Sequence, residues 1–203
     1  MNKNLFWVFP KALPKTVCDD ILKFGMKCKP QPGLTGGKPA EEVTQEDLEH
    51  IRKVRRSKIA WLTEPWIYRE IFEWLKRANK QAGWNYQIST VEKLQFTHYG
   101  VNEIYDWHCD SYNEPYSKEK NELAGLTRKI SMTLCLSNSN DYTGGDLEFK
   151  FRNSAEDTIS TIPETREKGT MIFFPGYVWH RVAPVTSGNR FSLVLWSCGN
   201  PYV

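Results

Sequence analysis

Apolar residues recur with two different periods along this chain. From residue 1 to 85 the regular stretches have helical spacing. Leu5–Phe9 is a short apolar run that predicts a strand, and after Pro14 the positions Val17, Ile21, Leu22 and Phe24 predict the apolar side of a helix. Lys29–Glu42 (KPQPGLTGGKPAEE) is rich in Gly and Pro and reads as a loop. A charged segment, Gln45–Arg56, leads into a predicted strand at Lys58–Leu62. A second helix opens where Thr63 can cap, Glu64 sits in the first turn and Pro65 suits an early helical position. Trp66, Ile67, Ile71, Trp74, Leu75 and Ala78 form its packing stripe, and Gly83 ends it.

From Tyr86 onward short β-rich runs alternate with turn signals. The runs are Gln87–His98, Tyr105–Asp110, Lys129–Leu136, Asp146–Phe151, Thr170–Phe174, Val178–Val182 and Arg190–Ser197. Gly100, Asn138–Asp141, Gly144–Gly145, Pro175–Gly176 and Ser187–Asn189 mark the turns. So many short strands after a helical beginning predict a mainly β (α+β) sandwich or jelly roll, with helices from the N-terminal part on one face. The polar segment Ser111–Arg128, carrying Glu114, Lys118, Glu119, Lys120 and Glu122, interrupts the strands and reads as a solvated excursion or a lid over one end.

Composition narrows the class. The chain has 203 residues, enough for one domain with a substantial core, and its 8 Trp, 9 Tyr and 10 Phe argue against disorder. No apolar run approaches the roughly 20 residues of a membrane span. A net charge of +3 gives no case for nucleic acid, and the basic run Arg52–Arg56 reads as a solvated helical face. Five cysteines at scattered positions, with no Cys-x-x-Cys pair, fit reduced thiols in a cytoplasmic setting. Lys3 precedes only a short apolar stretch broken by Pro10, with no small-residue cleavage site, so no signal peptide is expected.

Candidate chemistry centres on His108-Cys109-Asp110. Residues two apart on a strand share a face, so an imidazole and a carboxylate can converge there, and His180 would complete two histidines and one carboxylate. That set suits divalent iron and leaves open positions for substrate and O₂. The alternative is that Asp110 only orients His108 while His180 is a satisfied core residue. Arg190 changes the balance. It sits in an apolar strand (Phe191, Leu193, Val194, Leu195, Trp196), where an arginine needs a partner. A hairpin centred near Val185 would aim Arg190 and His180 into one cavity, where the guanidinium can hold the far carboxylate of a metal-chelating diacid. Ser192 faces the same way. Alternation places Trp107 and Cys109 on the opposite face, in the core; Trp196 and His98 read as structural, and His50 as solvated.

Leu94–Asp110 (LQFTHYGVNEIYDWHCD) resembles the segment of prolyl 4-hydroxylase-like oxygenases in which tyrosines precede His-x-Asp. Arg128–Ser137 (RKISMTLCLS) with Tyr142–Phe149 (YTGGDLEF) resembles that family's next strand and its Gly-Gly-acid turn. Phe174-Pro175-Gly176, His180, Pro184-Val185 and Gly188-Asn189-Arg190 are similar to its closing segment, and Val54–Leu62 (VRRSKIAWL) to the microbial PKHD-type branch. The resemblance covers most of residues 54–197. It implies a double-stranded β-helix in a single domain over 1–203, with 1–85 as helical support and 86–203 as catalytic core. The implied activity is an iron(II)/2-oxoglutarate dioxygenase that couples 2-oxoglutarate decarboxylation to succinate with C–H hydroxylation.

Carried over by position, the resemblance implies His108, Asp110 and His180 as iron ligands and Arg190 as the partner of the 2-oxoglutarate C5 carboxylate. Tyr99 and Ser192 are implied as further cosubstrate contacts. Cys135 stands where many prolyl hydroxylases have a tyrosine; Thr133, facing the same side, is the candidate to replace that hydroxyl. The expected cofactors are Fe(II), 2-oxoglutarate and O₂, with L-ascorbate as a reductant. Peptidyl proline leads as substrate, making a peptide or protein the expected partner. A free amino acid or small metabolite is the alternative, and a metal-binding β module without turnover is a different class.

Overall fold

The computed structural model describes residues 4–35, 43–111, 114–117, 121–153 and 156–202. In chain order, β1 (Trp7–Phe9) leads into α1 (Lys15–Lys27), and β2 (Gln31–Pro32) precedes α2 (Gln45–Val54), β3 (Arg55–Arg56) and β4 (Lys58–Leu62). After α3 (Pro65–Gln81) come β5 (Thr90–Val91), β6 (Leu94–Tyr99), β7 (Ile104–His108) and β8 (Thr127–Cys135). The chain continues through β9 (Tyr142–Gly144), β10 (Leu147–Asn153), β11 (Glu156–Thr161) and β12 (Met171–Pro175). It closes with β13 (Trp179–Val182), β14 (Val185–Gly188) and β15 (Arg190–Gly199).

The strands form two antiparallel sheets that face each other as a jelly roll. The major sheet runs β1-β12-β8-β15-β6-β4-β2, with β5 also on β15; the minor sheet runs β11-β10-β13-β7-β3, and β14 pairs with β9. Among the described residues, 1–85 thus supply strands to both sheets as well as three α-helices. No helix among the described residues is long and apolar enough to cross a membrane. All five cysteines are free thiols.

Alternation along the major sheet explains the layering. Phe96, Met132, Leu134, Phe173, Leu193 and Leu195 face outward and join Ile21, Ile67, Ile71 and Leu75 of α1 and α3 in one core cluster. Gly25 lets α1 approach this layer closely, since a Cβ there would lie 2.5 Å from the Phe96 ring. The intervening residues face the minor sheet, where Phe149, Phe174, Ile172 and Val182 make a second cluster. Helices therefore seal one face of the major sheet, and the other face lines the interior between the sheets.

Three expectations change on the structure. The basic run, expected as a helical face to Arg56, is helical only as far as Val54 in α2, where Thr44 Oγ1 accepts from the Asp47 amide and the Asp47 carboxylate accepts from the Thr44 amide, and Arg55–Arg56 form the strand β3. The second predicted helix starts at Pro65 with Glu64 as its N-cap and no side-chain cap, so Thr63 does not cap it. The hairpin joining His180 to Arg190 does not form. β13 pairs with β10 and β7, β15 pairs with β8 and β6, and the intervening β14 pairs with β9. The Pro184–Asn189 connection crosses from one sheet to the other.

Candidate active site

Asp110, His108 and His180 meet on the minor sheet. His108 ends β7 and lies directly opposite His180 of β13 in the ladder. Asp110 lies past the end of β7, so the shared-face rule for a strand does not place it. Its amide donates to the Gly176 carbonyl at 2.8 Å, and that turn brings the carboxylate back. His108 Nε2 is 3.9 Å from Asp110 Oδ1, and His180 Nε2 is 3.6 Å from Oδ2. One donor atom from each residue lies within 4.8 Å of the others, close enough for a single ion.

Both imidazoles are oriented by backbone. His108 Nδ1 lies 2.7 Å from the Asp106 carbonyl and His180 Nδ1 lies 2.9 Å from the Val178 carbonyl. A proton held at each Nδ1 leaves each Nε2 lone pair directed at the centre. Tyr105 stacks on His108 at 3.5 Å between ring centroids, and Phe174 packs edge-on against His180 at 4.6 Å. Burial, then the neighbouring His180, pulls the His108 basicity down and keeps this ring neutral. Burial alone would raise the Asp110 pKa; with the imidazoles neutral, the Arg128 guanidinium 4.0 Å away and a 2.6 Å hydrogen bond from Ser131 Oγ favour the carboxylate.

Across the cavity stands Arg190, the first residue of β15 and 2% exposed. Its NH1 donates to Ser192 Oγ at 3.3 Å, while its Nε is buried with no partner among the described residues. The Gly144–Gly145 turn makes room for it. A Cβ on Gly145, whose φ is +64°, would lie 3.1 Å from Arg190 Cδ and 2.9 Å from Val185. Tyr99, the ladder partner of Arg190, has its ring 5.5 Å beneath the guanidinium, and burial pushes its hydroxyl pKa up so that it stays a neutral donor.

His108, Asp110, His180, Arg190, Tyr99, Ser192 and Thr133 all line one cavity. His180 and Arg190 share it because they face each other from opposite sheets. Cys135 does not line it; its Sγ lies 3.4 Å from the Ser137 carbonyl oxygen and 3.6 Å from that of Arg166. The donor set suits a divalent ion, and the orphaned Nε of a buried arginine suits a carboxylate.

Several neighbours were not legible as site residues. Arg55, read as part of a solvated basic face, is 5% exposed and lines the cavity. Arg128 makes a two-pronged ion pair with Glu92 (Nε–Oε1 2.6 Å, NH2–Oε2 2.8 Å) and lies 4.1 Å over Trp196. Trp196, read as packing, is buried and also lines the cavity, with its Nε1 unpartnered among the described residues. Trp107 leaves the core and packs under Lys150 and Arg181, each 4.8 Å from its ring centroid. Trp179, flanking His180, is 49% exposed. His98 is structural as expected, stacked on Phe191 at 4.6 Å and 2.7 Å from Asn189 Oδ1. His50 is exposed. Part of the 111–128 segment (112–113 and 118–120) lies outside the described residues; Tyr116 within it donates to Glu92 at 2.8 Å.

Two facing antiparallel sheets thus enclose a His-Asp-His cluster opposite a buried arginine. Residues 94–198 match the model of the 2OG-Fe(II) oxygenase superfamily, and the chain belongs to that family. It is 29% identical over 102 residues to a PKHD-type hydroxylase of Xanthomonas axonopodis pv. citri, covering 50% of this chain and 42% of that one. The chain thus spans about two fifths of that relative's length. Among solved structures it resembles a Pseudomonas putida prolyl-4-hydroxylase (TM-score 0.65, 18% identity, 97% of this chain and 94% of that one). It also resembles a Trichoplax adhaerens prolyl hydroxylase in complex with a hypoxia inducible factor peptide fragment (TM-score 0.60, 19% identity, 97% and 84%).

Proposed function

We propose that this chain is an iron(II)- and 2-oxoglutarate-dependent dioxygenase that hydroxylates a C–H bond, with peptidyl proline as the leading substrate. The observation that carries the reading is the pairing of a His-Asp-His cluster with Arg190, a buried cation with an unsatisfied Nε, in one cavity. His108 and His180 would hold iron through Nε2, and Asp110 through its carboxylate. When bound, iron and 2-oxoglutarate together supply the oxidising chemistry, with O₂ consumed and succinate and CO₂ released.

The protein's own part is positioning. Arg190 and Ser192 would fork the C5 carboxylate of 2-oxoglutarate, Tyr99 and Thr133 would add hydroxyl contacts, and Phe174, Leu147 and Val182 keep water from the wall behind His180. L-ascorbate fits as a reductant that keeps the metal ferrous. A peptide or protein partner is supported by the prolyl hydroxylase likeness, and a cytoplasmic setting by the five free thiols. Iron-loaded protein given 2-oxoglutarate and a proline-containing peptide library should form succinate together with a hydroxylated peptide. Absence of succinate with every peptide and small acid tried would refute the dioxygenase reading.

A further inference from the structure

A second arginine opens on the same cavity. Arg55 begins β3 at the edge of the minor sheet, opposite Tyr105. Its Nε donates to Ser57 Oγ at 2.9 Å and its NH1 to the Leu34 carbonyl at 3.3 Å. Gly33 packs against it so closely that a Cβ there would lie 2.6 Å from the Arg55 Nε. The NH2 group is buried and has no partner among the described residues. The guanidinium lies 4.4 Å over the Tyr105 ring, which in turn stacks on His108. Its free edge is therefore held one aromatic ring away from the candidate metal centre, in a fixed orientation.

Charge decides what belongs there. No acid among the described residues forms an ion pair with Arg55, and Asp110 is the cavity's only lining carboxylate among them. Arg128 is neutralised by Glu92. With a divalent ion bound, the two lining arginines and the ion exceed Asp110 by three positive charges. 2-Oxoglutarate offsets two of these, and one positive charge is left without a counter-ion. A buried, uncompensated cation is costly, and a planar guanidinium with a free N–H edge is matched by a carboxylate. A backbone carbonyl could accept the hydrogen bond but would leave the charge.

Resting on the dioxygenase reading, we propose that Arg55 binds a carboxylate of the substrate itself, so that the enzyme selects an acidic substrate. The carboxylate can be that of a free acid or chain terminus, or that of an Asp or Glu side chain.

The test is a panel of N-acetyl amino acids bearing the twenty side chains, each as free acid and as primary amide. Two readouts are taken: stimulation of succinate formation by the iron-loaded protein, and binding followed by tryptophan fluorescence with zinc in place of iron and 2-oxoglutarate saturating. Zinc keeps the charge without redox chemistry. At least one member should bind about tenfold more tightly with a carboxylate than without, the scale of a charge-assisted hydrogen bond. That preference should vanish in Arg55→Gln and persist, weakened, in Arg55→Lys. A response confined to the free acids assigns a terminal carboxylate, and a response shared by the amides of Asp and Glu assigns a side chain. Amides equal to acids throughout with Asp and Glu no better than Asn and Gln, or a carboxylate preference that survives in Arg55→Gln, overturns the assignment. A raised 2-oxoglutarate requirement with the preference intact does so too. Acid-selective binding to the zinc form without any succinate from the iron form would uphold Arg55 and sink the dioxygenase reading.

Discussion

Arg190 and Ser192 divide one task unequally. Arg190 is a buried cation whose Nε has no partner among the described residues, whereas Ser192 contributes a neutral hydroxyl 3.3 Å from its NH1. Removing the cation from a buried pair costs roughly 3–5 kcal/mol. Arg190→Ala should therefore raise the KM for 2-oxoglutarate by at least about a hundredfold while a divalent ion still binds. Ser192→Ala removes a single hydrogen bond to a charged partner, worth about 1.5 kcal/mol, and should raise KM by about tenfold. Steady-state titration of 2-oxoglutarate checks both, and an unchanged KM in Arg190→Ala removes it from the role. His108, Asp110 and Arg190 were legible because each is an anomaly of kind: a donor pair two residues apart, and a charge inside an apolar strand. Arg55 was not, since a basic run looks alike whether the chain continues as a helix or turns into a buried edge strand after Val54.

Among the secondary-structure elements, periodicity revealed those with a broad apolar stripe and missed those without one. α3 repeats large apolar residues every turn, but α2 buries only Ile51 among its residues, and its signal was the Thr44–Asp47 capping box. The strand ladder was harder to read, because adjacent runs were taken to pair while the Pro184–Asn189 connection instead crosses between sheets. Links between distant elements leave no trace in spacing at all. Lys168, just before β12, is buried and reaches Asp19 of α1 at 2.6 Å. That hydrogen bond holds the Asp19 carboxyl below its ordinary value. A depressed carboxyl contributes stability above its unfolded pKa and loses it as pH falls through the folded value. Asp19→Asn should thus be less stable than the parent at pH 7 by about 1 kcal/mol, since the carboxylate is half exposed and screened. The gap should shrink as pH falls below the carboxyl's ordinary 3.8 and close once the parent's own carboxyl is protonated. Urea midpoints at neutral and acid pH test this, and a gap independent of pH would exclude the ion pair as its source.

For the molecule as a whole, the major sheet separates two jobs. Its outer face joins the helices and carries stability; its inner face, with the minor sheet, carries the site. Leu195 is fully buried in the outer cluster, and Phe174 is 1% exposed in the inner one, packed edge-on against His180. Leu195→Ala and Phe174→Ala should each cost about 3–5 kcal/mol through lost burial and a residual cavity. Only the second frees the His180 ring to leave its Val178 hydrogen bond. Its effect on metal affinity should therefore be larger than that of Leu195→Ala by about tenfold or more, the range seen when a ligand's supporting contacts are removed. Thermal unfolding measures the shared loss, and calorimetric titration with a divalent ion at a temperature where both variants stay folded measures the difference. Equal loss of metal affinity in the two variants would mean that the sheet transmits packing defects freely from one face to the other, and the separation of stability from site would fail.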